Sequence, residues 1–365
     1  MPERLATLGL AAPYEPAFFE YEAPPLEDGR FRVETLYSGL SAGTELTLYK
    51  GTNPYLHAAF DPEFGVFRPG APSFGYPIEQ LGYMEVGRVV ESRCKAAVPG
   101  RLVAMAYGHR TGHVADATRE RFVVLPHDID PLLGVYVAHM GPICANGLLH
   151  AAAELSAGEV AQLSDGVGER HVVVVGAGVV GLLTALFAAH HGAVAVAVVD
   201  PSPDRLAAAE SLGLEAVPEQ ADSWEQIKQG WVHAPRDRGA DVVFQCRGRA
   251  ESLALALRCL RPQGAVIDLA FYQSGAEAVR LGEEFHHNGL TIRSAQIGRV
   301  PRGLADRWDR DRLSQETIEL LREHGPQMRE ALITDVLALE DAPQLLAQLA
   351  ARERQVLQAV FRVNR

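Results

Sequence analysis

The chain has 365 residues, 47% of them hydrophobic, with 34 glycines, 22 prolines and a formal net charge of −12 at pH 7. That length suits two folded domains with ample core. The acidic balance, with no long basic run, excludes the clustered positive surface that a nucleic-acid partner needs. Cys94, Cys144, Cys246 and Cys259 stand far apart with no CxxC pair, the usage of a reducing cytosol. The N-terminus carries no signal-peptide pattern, and the longest apolar stretch, 172–189, is broken by glycines at turn spacing. The expectation is a cytoplasmic protein with no membrane partner.

From 1 to 145 the pattern is of short β-type runs between Gly/Pro turns, at 31–37, 86–90, 101–105 and 121–125. Such spacing predicts a β-rich, partly barrel-like domain. From 146 to 298, apolar strands alternate with helical stretches, which implies a parallel sheet. Residues 299–365 read as helices near 314–324 and 340–352 with a closing strand at 356–361, a return to the first domain. The polar stretch 217–240 supports one short helix near Trp224 and nothing more.

The strongest signal begins at His171. Four valines, the composition of a strand buried on both faces, run into Gly176-x-Gly178-x-x-Gly181 and then an apolar helix ending at Gly192. The first glycine permits the tight turn, the second lets backbone approach a pyrophosphate, and the third lets helix pack on strand. With Val179 and Val180 they present free N–H groups to a dinucleotide at a helix N-terminus. A second strand ends in Asp200, about 20 residues on, where a carboxylate can accept from a ribose diol and repel a 2′-phosphate. NAD is therefore expected over NADP, with Arg205 counted among the coenzyme contacts. A Rossmann-like turn for another ligand, such as S-adenosylmethionine, is the alternative. Later strands at 241–245, 264–269 and 290–294 keep the rhythm. Cys246, Arg247, Ala270 and Phe271 lie just past strand ends, where ligands bind in open α/β sheets; Arg247 can equally be a solvated loop charge.

The order of parts resembles the medium-chain dehydrogenase/reductase superfamily over essentially the whole chain, on the stretches 81–90, 141–150, the glycine motif, 260–264 and 339–343. The resemblance implies a GroES-like catalytic domain, a Rossmann domain and a homodimer joined near 290–294. It also implies zinc positions, and here these are Ser41, Tyr83, Met84 and Gly141. None is a thiolate, imidazole or carboxylate, and no four-cysteine lobe exists, so neither a catalytic nor a structural zinc is expected. The stretches 38–45, 82–90 and 284–288 look like the branch that contains bacteriochlorophyllide dehydrogenase.

Without a metal, a side chain must manage the hydroxyl proton of an alcohol substrate. Matching the family's active-site turns, the candidates are Tyr83, Ser41, Thr44, Glu45 and His139. Each has a plainer alternative: a packed tyrosine, a turn-capping serine, a salt bridge from Glu45 to Lys50 or an arginine. His286 and His287, read as neighbours on a strand, point to opposite faces and make no metal pair. The expected activity is NAD-dependent interconversion of a small secondary alcohol and its ketone. An enoyl or quinone reductase and a catalytically silent NAD-binding scaffold are the competing readings.

Overall fold

A computed structural model describes residues 4–70, 72–273 and 275–363. The chain divides into two compact units, 1–139 with 333–365, and 140–332. It is an α/β protein, one unit built on a parallel sheet and the other β-rich. Among the described residues no helix is long and apolar enough to cross a membrane.

The second unit is built on a six-stranded parallel sheet. Its order is Glu215–Pro218, Ala195–Asp200, His171–Val175, Ala240–Gln245, Leu260–Asp268, Thr291–Ser294. The chain starts in the middle, winds to one edge, then returns to build the other half. This doubly wound order leaves a switch point at the carboxyl ends of the first and fourth strands. The valines of His171–Val175 are wholly buried because helices cover both faces. Val179–His190, Pro203–Ser211 and Ala250–Cys259 make the crossovers, and Ser223–Gly230 supplies the short helix near Trp224.

The sequence boundary at 298/299 differs from the observed division. The long helix Arg310–Leu332 packs on Met140–Leu155, Val179–His190 and Pro203–Ser211, within the second unit. Its buried face, Leu313, Ile318, Leu321 and Met328, finds cover there. Met140–Leu155 also extends the second unit six residues earlier than the expected start at 146.

The first unit centres on a sheet ordered Ile333–Ala338, Gln358–Arg362, Arg30–Gly39, Glu85–Ser92, Leu102–Met105, Val123–Val124, with Gly112–Asp116 also paired to Arg30–Gly39. The hairpin Arg4–Ala12/Glu15–Glu22 was not legible beforehand, because its second strand is half exposed and carries little apolar alternation. His286 and His287 lie in a short helix, Glu284–His287, not a strand, so the opposite-face argument does not apply to them; both are exposed.

Phe244 is a fully buried ring on the fourth strand of the parallel sheet. Phe244→Ala is expected to cost about 3–5 kcal/mol through lost burial and a cavity, read as a lower urea midpoint. A midpoint within error of the parent would show that this core is not packed as described.

Candidate functional site

In the first unit, the strand Arg30–Gly39 leads through Leu40 to Ser41, which caps the helix Ala42–Tyr49 without using its side chain. The Ser41 hydroxyl is thereby free to meet the Tyr83 hydroxyl in a short hydrogen bond. Thr44 Oγ1 lies 3.4 Å from the same phenol oxygen. The His139 ring stands edge-on to Tyr83, centroids 4.7 Å apart. Four of the five expected polar residues thus meet around one phenol. Burial raises Tyr83 above the ordinary tyrosine range, so the group is a neutral O–H donor at moderate pH.

Glu45, the fifth, bonds no side chain of that cluster, only the Ser41 backbone, and does something the sequence did not disclose. It is 1% exposed. It bonds neither Lys50 nor an arginine; its Oε2 lies 2.8 Å from Nε2 of His109, a residue 0% exposed. Its Oε1 accepts the Ser41 N–H at 2.7 Å and so fixes the turn that aims the Ser41 hydroxyl. The other ring nitrogen, Nδ1, lies 2.6 Å from Ser38 Oγ, which donates to Glu85 Oε1 at 3.0 Å. Glu85 also accepts from the N–H groups of Met84 and Tyr107. Donors run outward from the ring in both directions, the pattern that suits an imidazolium between two carboxylates. Burial pushes His109 down, but Glu45 and then Glu85 more than offset it, so the imidazole titrates above its ordinary value. Burial likewise raises Glu85. No motif marks His109. A lone histidine in a Gly-His-Arg turn carries no signal until sheet register brings it to Glu45 and Ser38.

In the second unit, the three glycines have separate reasons. Gly176 adopts φ +105°, which a side chain rarely tolerates. A Cβ on Gly178 would meet nothing within 4 Å, leaving open space before the helix N-terminus. A Cβ on Gly181 would stand 1.7 Å from the Gly176 carbonyl oxygen. Val179 and Val180 open the helix, whose cap at Gly178 makes no side-chain hydrogen bond. An open cradle with free N–H groups fits a pyrophosphate. Asp200 ends its strand 1% exposed, its Oδ2 accepting the Ala177 N–H at 2.8 Å and its Oδ1 the Ser202 N–H at 2.9 Å. The carboxylate therefore first braces the glycine turn, and its remaining lone pairs are what a ribose can use. Arg205 Nη1 lies 3.9 Å from Asp200 Oδ2. Arg247 pairs with Glu219 at 2.6 Å and is no solvated loop charge. Cys246 and Arg247 follow the strand Ala240–Gln245, and Ala270 and Phe271 follow Leu260–Asp268, at carboxyl ends of the sheet.

A folded-state pKa raised above the unfolded value makes His109 stabilising below about 6.5, a contribution lost as pH rises through the folded value. Glu85 acts with the same sign from a lower pH. His109→Gln is expected to lose about 3–5 kcal/mol near pH 6, and less at a pH high enough to neutralise the ring, because it strips one partner from a buried group that is charged at the lower pH. Urea midpoints of parent and variant at both pH values check this; an equal gap at both would refute the charged pairing.

Comparison with known proteins follows the same lines. The family described as zinc-binding dehydrogenase matches residues 179–310. The chain is 27% identical over 348 residues to D-guloside 3-dehydrogenase of Escherichia coli K12, covering 92% of this chain and 93% of that protein. It is 25% identical over 321 residues to zinc-type alcohol dehydrogenase B of Aspergillus flavus, covering 80% and 68%. Among solved structures, an alcohol dehydrogenase of Thermotoga maritima superposes with a TM-score of 0.74 at 19% identity, covering 99% of both chains. A zinc-binding dehydrogenase of Sinorhizobium meliloti bound to NADP gives 0.73 at 18% identity, also covering 99% of both. The chain has the fold of the medium-chain alcohol dehydrogenases, and its likenesses support a place in the medium-chain dehydrogenase/reductase superfamily.

Proposed function

We propose that the chain is an NAD(H)-dependent oxidoreductase that interconverts a secondary alcohol and its ketone without a catalytic zinc. The observation that carries this reading is the Tyr83 hydroxyl, seated against Ser41 and Thr44 where relatives of this fold place metal ligands. The donors at those positions do not fit zinc. Ser41 and Tyr83 offer hydroxyls turned toward each other, and Met84 is wholly buried. A side chain begun at Gly141 would run into Thr317 at 2.2 Å, so no carboxylate can grow there. Zinc calls for thiolate, imidazole or carboxylate.

A bound nicotinamide supplies or accepts the hydride; the chain's own residues handle binding and the proton. Tyr83 donates its proton to the substrate oxygen and, being neutral, suits ketone reduction, with the Ser41 and Thr44 hydroxyls relaying a proton from solvent that restores the phenol. His139 borders the phenol and limits how it can turn. Gly176, Gly178 and Gly181 with Val179 and Val180 take the pyrophosphate. Asp200 takes the ribose, Arg205 covers it, and Cys246, Arg247, Ala270 and Phe271 line the strand ends. The likeness to a D-guloside 3-dehydrogenase favours a ring or chain hydroxyl of a sugar or polyol as the reacting group. The reading includes a cytoplasmic homodimer joined near 290–294, where the strand Thr291–Ser294 forms one edge of the sheet. It also includes the zinc-free branch that contains bacteriochlorophyllide dehydrogenase, supported by the sequence stretches given above.

Turnover with a panel of secondary alcohols and polyols is expected to survive dialysis against a strong chelator. Tyr83→Phe should lower kcat/KM by about 10²–10⁴-fold while leaving coenzyme binding intact. Full activity in that variant, or activity lost on chelation with no fall in melting temperature, would end this reading; NAD binding without turnover on any substrate would favour the silent scaffold. In a fluorescence titration NADH should bind at least about tenfold tighter than NADPH, because Asp200 repels a 2′-phosphate. The reverse order would assign the protein to NADP.

A further inference from the structure

The second unit gathers three histidines and two glutamates where the end of helix Val179–His190 meets the helix Arg310–Leu332. His190 closes the first helix and His191 follows it. On the long helix, Glu316, Glu323 and His324 recur at seven- and eight-residue spacing and so share one face. His190 Nδ1 lies 3.2 Å from Glu323 Oε2, and His324 Nε2 lies 3.6 Å from Glu323 Oε1. One ligand atom from each of these three residues can be chosen so that all lie within 4.8 Å of one another. His191 Nε2 stands beside them, 3.6 Å from Glu316 Oε2.

His190 Nδ1, His191 Nε2 and His324 Nε2 are all shut off from water and make no hydrogen bond. Buried polar nitrogens in folded proteins are nearly always satisfied, so three in one place call for a partner. The other such grouping, His171, His233 and Asp241, has no such deficit. There Asp241 already takes the backbone N–H of His171 and the Arg261 guanidinium, the His171 ring nitrogen Nδ1 lies 3.8 Å from Asp241 Oδ2, and the His233 ring lies 2.8 Å from the Gly239 carbonyl.

We propose that His190, Glu323 and His324 bind one divalent transition-metal ion of the zinc class. Zinc bonds of about 2.0–2.1 Å set tetrahedral ligands about 3.4 Å apart. The imidazole nitrogens lie 3.2 Å from Glu323 Oε2 and 3.6 Å from Glu323 Oε1, and one ligand atom from each residue is already within 4.8 Å of the others, so a turn of the carboxylate and a modest closure of the rings reaches that spacing. Two imidazoles with one carboxylate select zinc, cobalt, nickel or copper over calcium or magnesium, which prefer all-oxygen shells. Glu323, 63% exposed at its side chain, opens the site to solvent and leaves a fourth position for water. The ion ties the far end of the helix that begins at the glycine turn to the long helix packed beside it. Its role is structural and separate from the chemistry at Tyr83.

The test uses the full chain without an affinity tag, freed of metal by chelation and dialysis and titrated calorimetrically with Zn²⁺ alone. The expected result is one saturable Zn²⁺ per chain, a higher melting temperature on binding, and visible absorption bands when Co²⁺ replaces Zn²⁺. Glu323→Ala and His324→Ala should each weaken Zn²⁺ binding by at least about tenfold, since loss of a mere outer partner commonly costs that much. Glu323 lies at the surface, so its variant folds and keeps the test decisive; Tyr83→Phe and His233→Ala should bind like the parent. Absence of saturable binding, binding untouched by both ligand variants, or binding lost in Tyr83→Phe or His233→Ala would overturn the site. None of these readouts depends on catalysis.

Discussion

A wholly buried imidazole must be paired at both nitrogens, and the pairing of His109 fixes much of the first unit around it. Through Nε2 it holds Glu45, which in turn holds the backbone of Ser41. Through Nδ1 and Ser38 it reaches Glu85, locking a cross-strand pair whose register sets the adjoining sheet. Its own N–H and carbonyl bond Leu81 and Leu8. The ring also dictates the neighbouring chain: a Cβ at Gly82, where φ is +88°, would stand 2.7 Å from it, so only glycine serves directly before Tyr83. A buried imidazole that must be paired on both sides thus places the phenol and the serine that meets it.

The second unit solves a different problem with backbone rather than side chains. Its task is to leave N–H groups open and unblocked at a helix start, which it does by removing Cβ atoms and by bracing the turn with Asp200. The carboxylate that reads the ribose in the proposed function is also the one that holds the loop receiving the phosphates. Coenzyme preference and loop geometry are therefore coupled through one residue, and a change at Asp200 touches both.

The fold is shared with proteins described as zinc-binding, yet fold does not fix chemistry. A hydroxyl cluster and a metal ion both lower the energy of a developing alkoxide, but they differ in what they require nearby. A metal needs anionic or imidazole ligands at close range. A neutral tyrosine needs a dry setting and a hydroxyl to exchange protons with, and here the dry setting comes with a charge chain that stays one layer behind it. His190 and His191 stand at the end of one helix and His324 within the long helix beside it, and the ion proposed there serves packing rather than chemistry.

The sequence by itself determined the strand, glycine turn and helix of 171–190, the strand ending at Asp200 and the β-rich character of the first half. All of these depend on neighbours in the chain: apolar period, a glycine where φ must be positive, a polar residue at a helix start. It also nominated Ser41, Thr44, Tyr83 and His139, which the structure brings into one cluster. Only tertiary structure decided that Glu45 answers to His109, 64 positions away, and that the helix Arg310–Leu332 packs with the second unit. Pairing a buried charge and covering an apolar face depend on which distant surfaces meet. That is set by sheet register and packing, and it leaves no periodic trace in the order of residues.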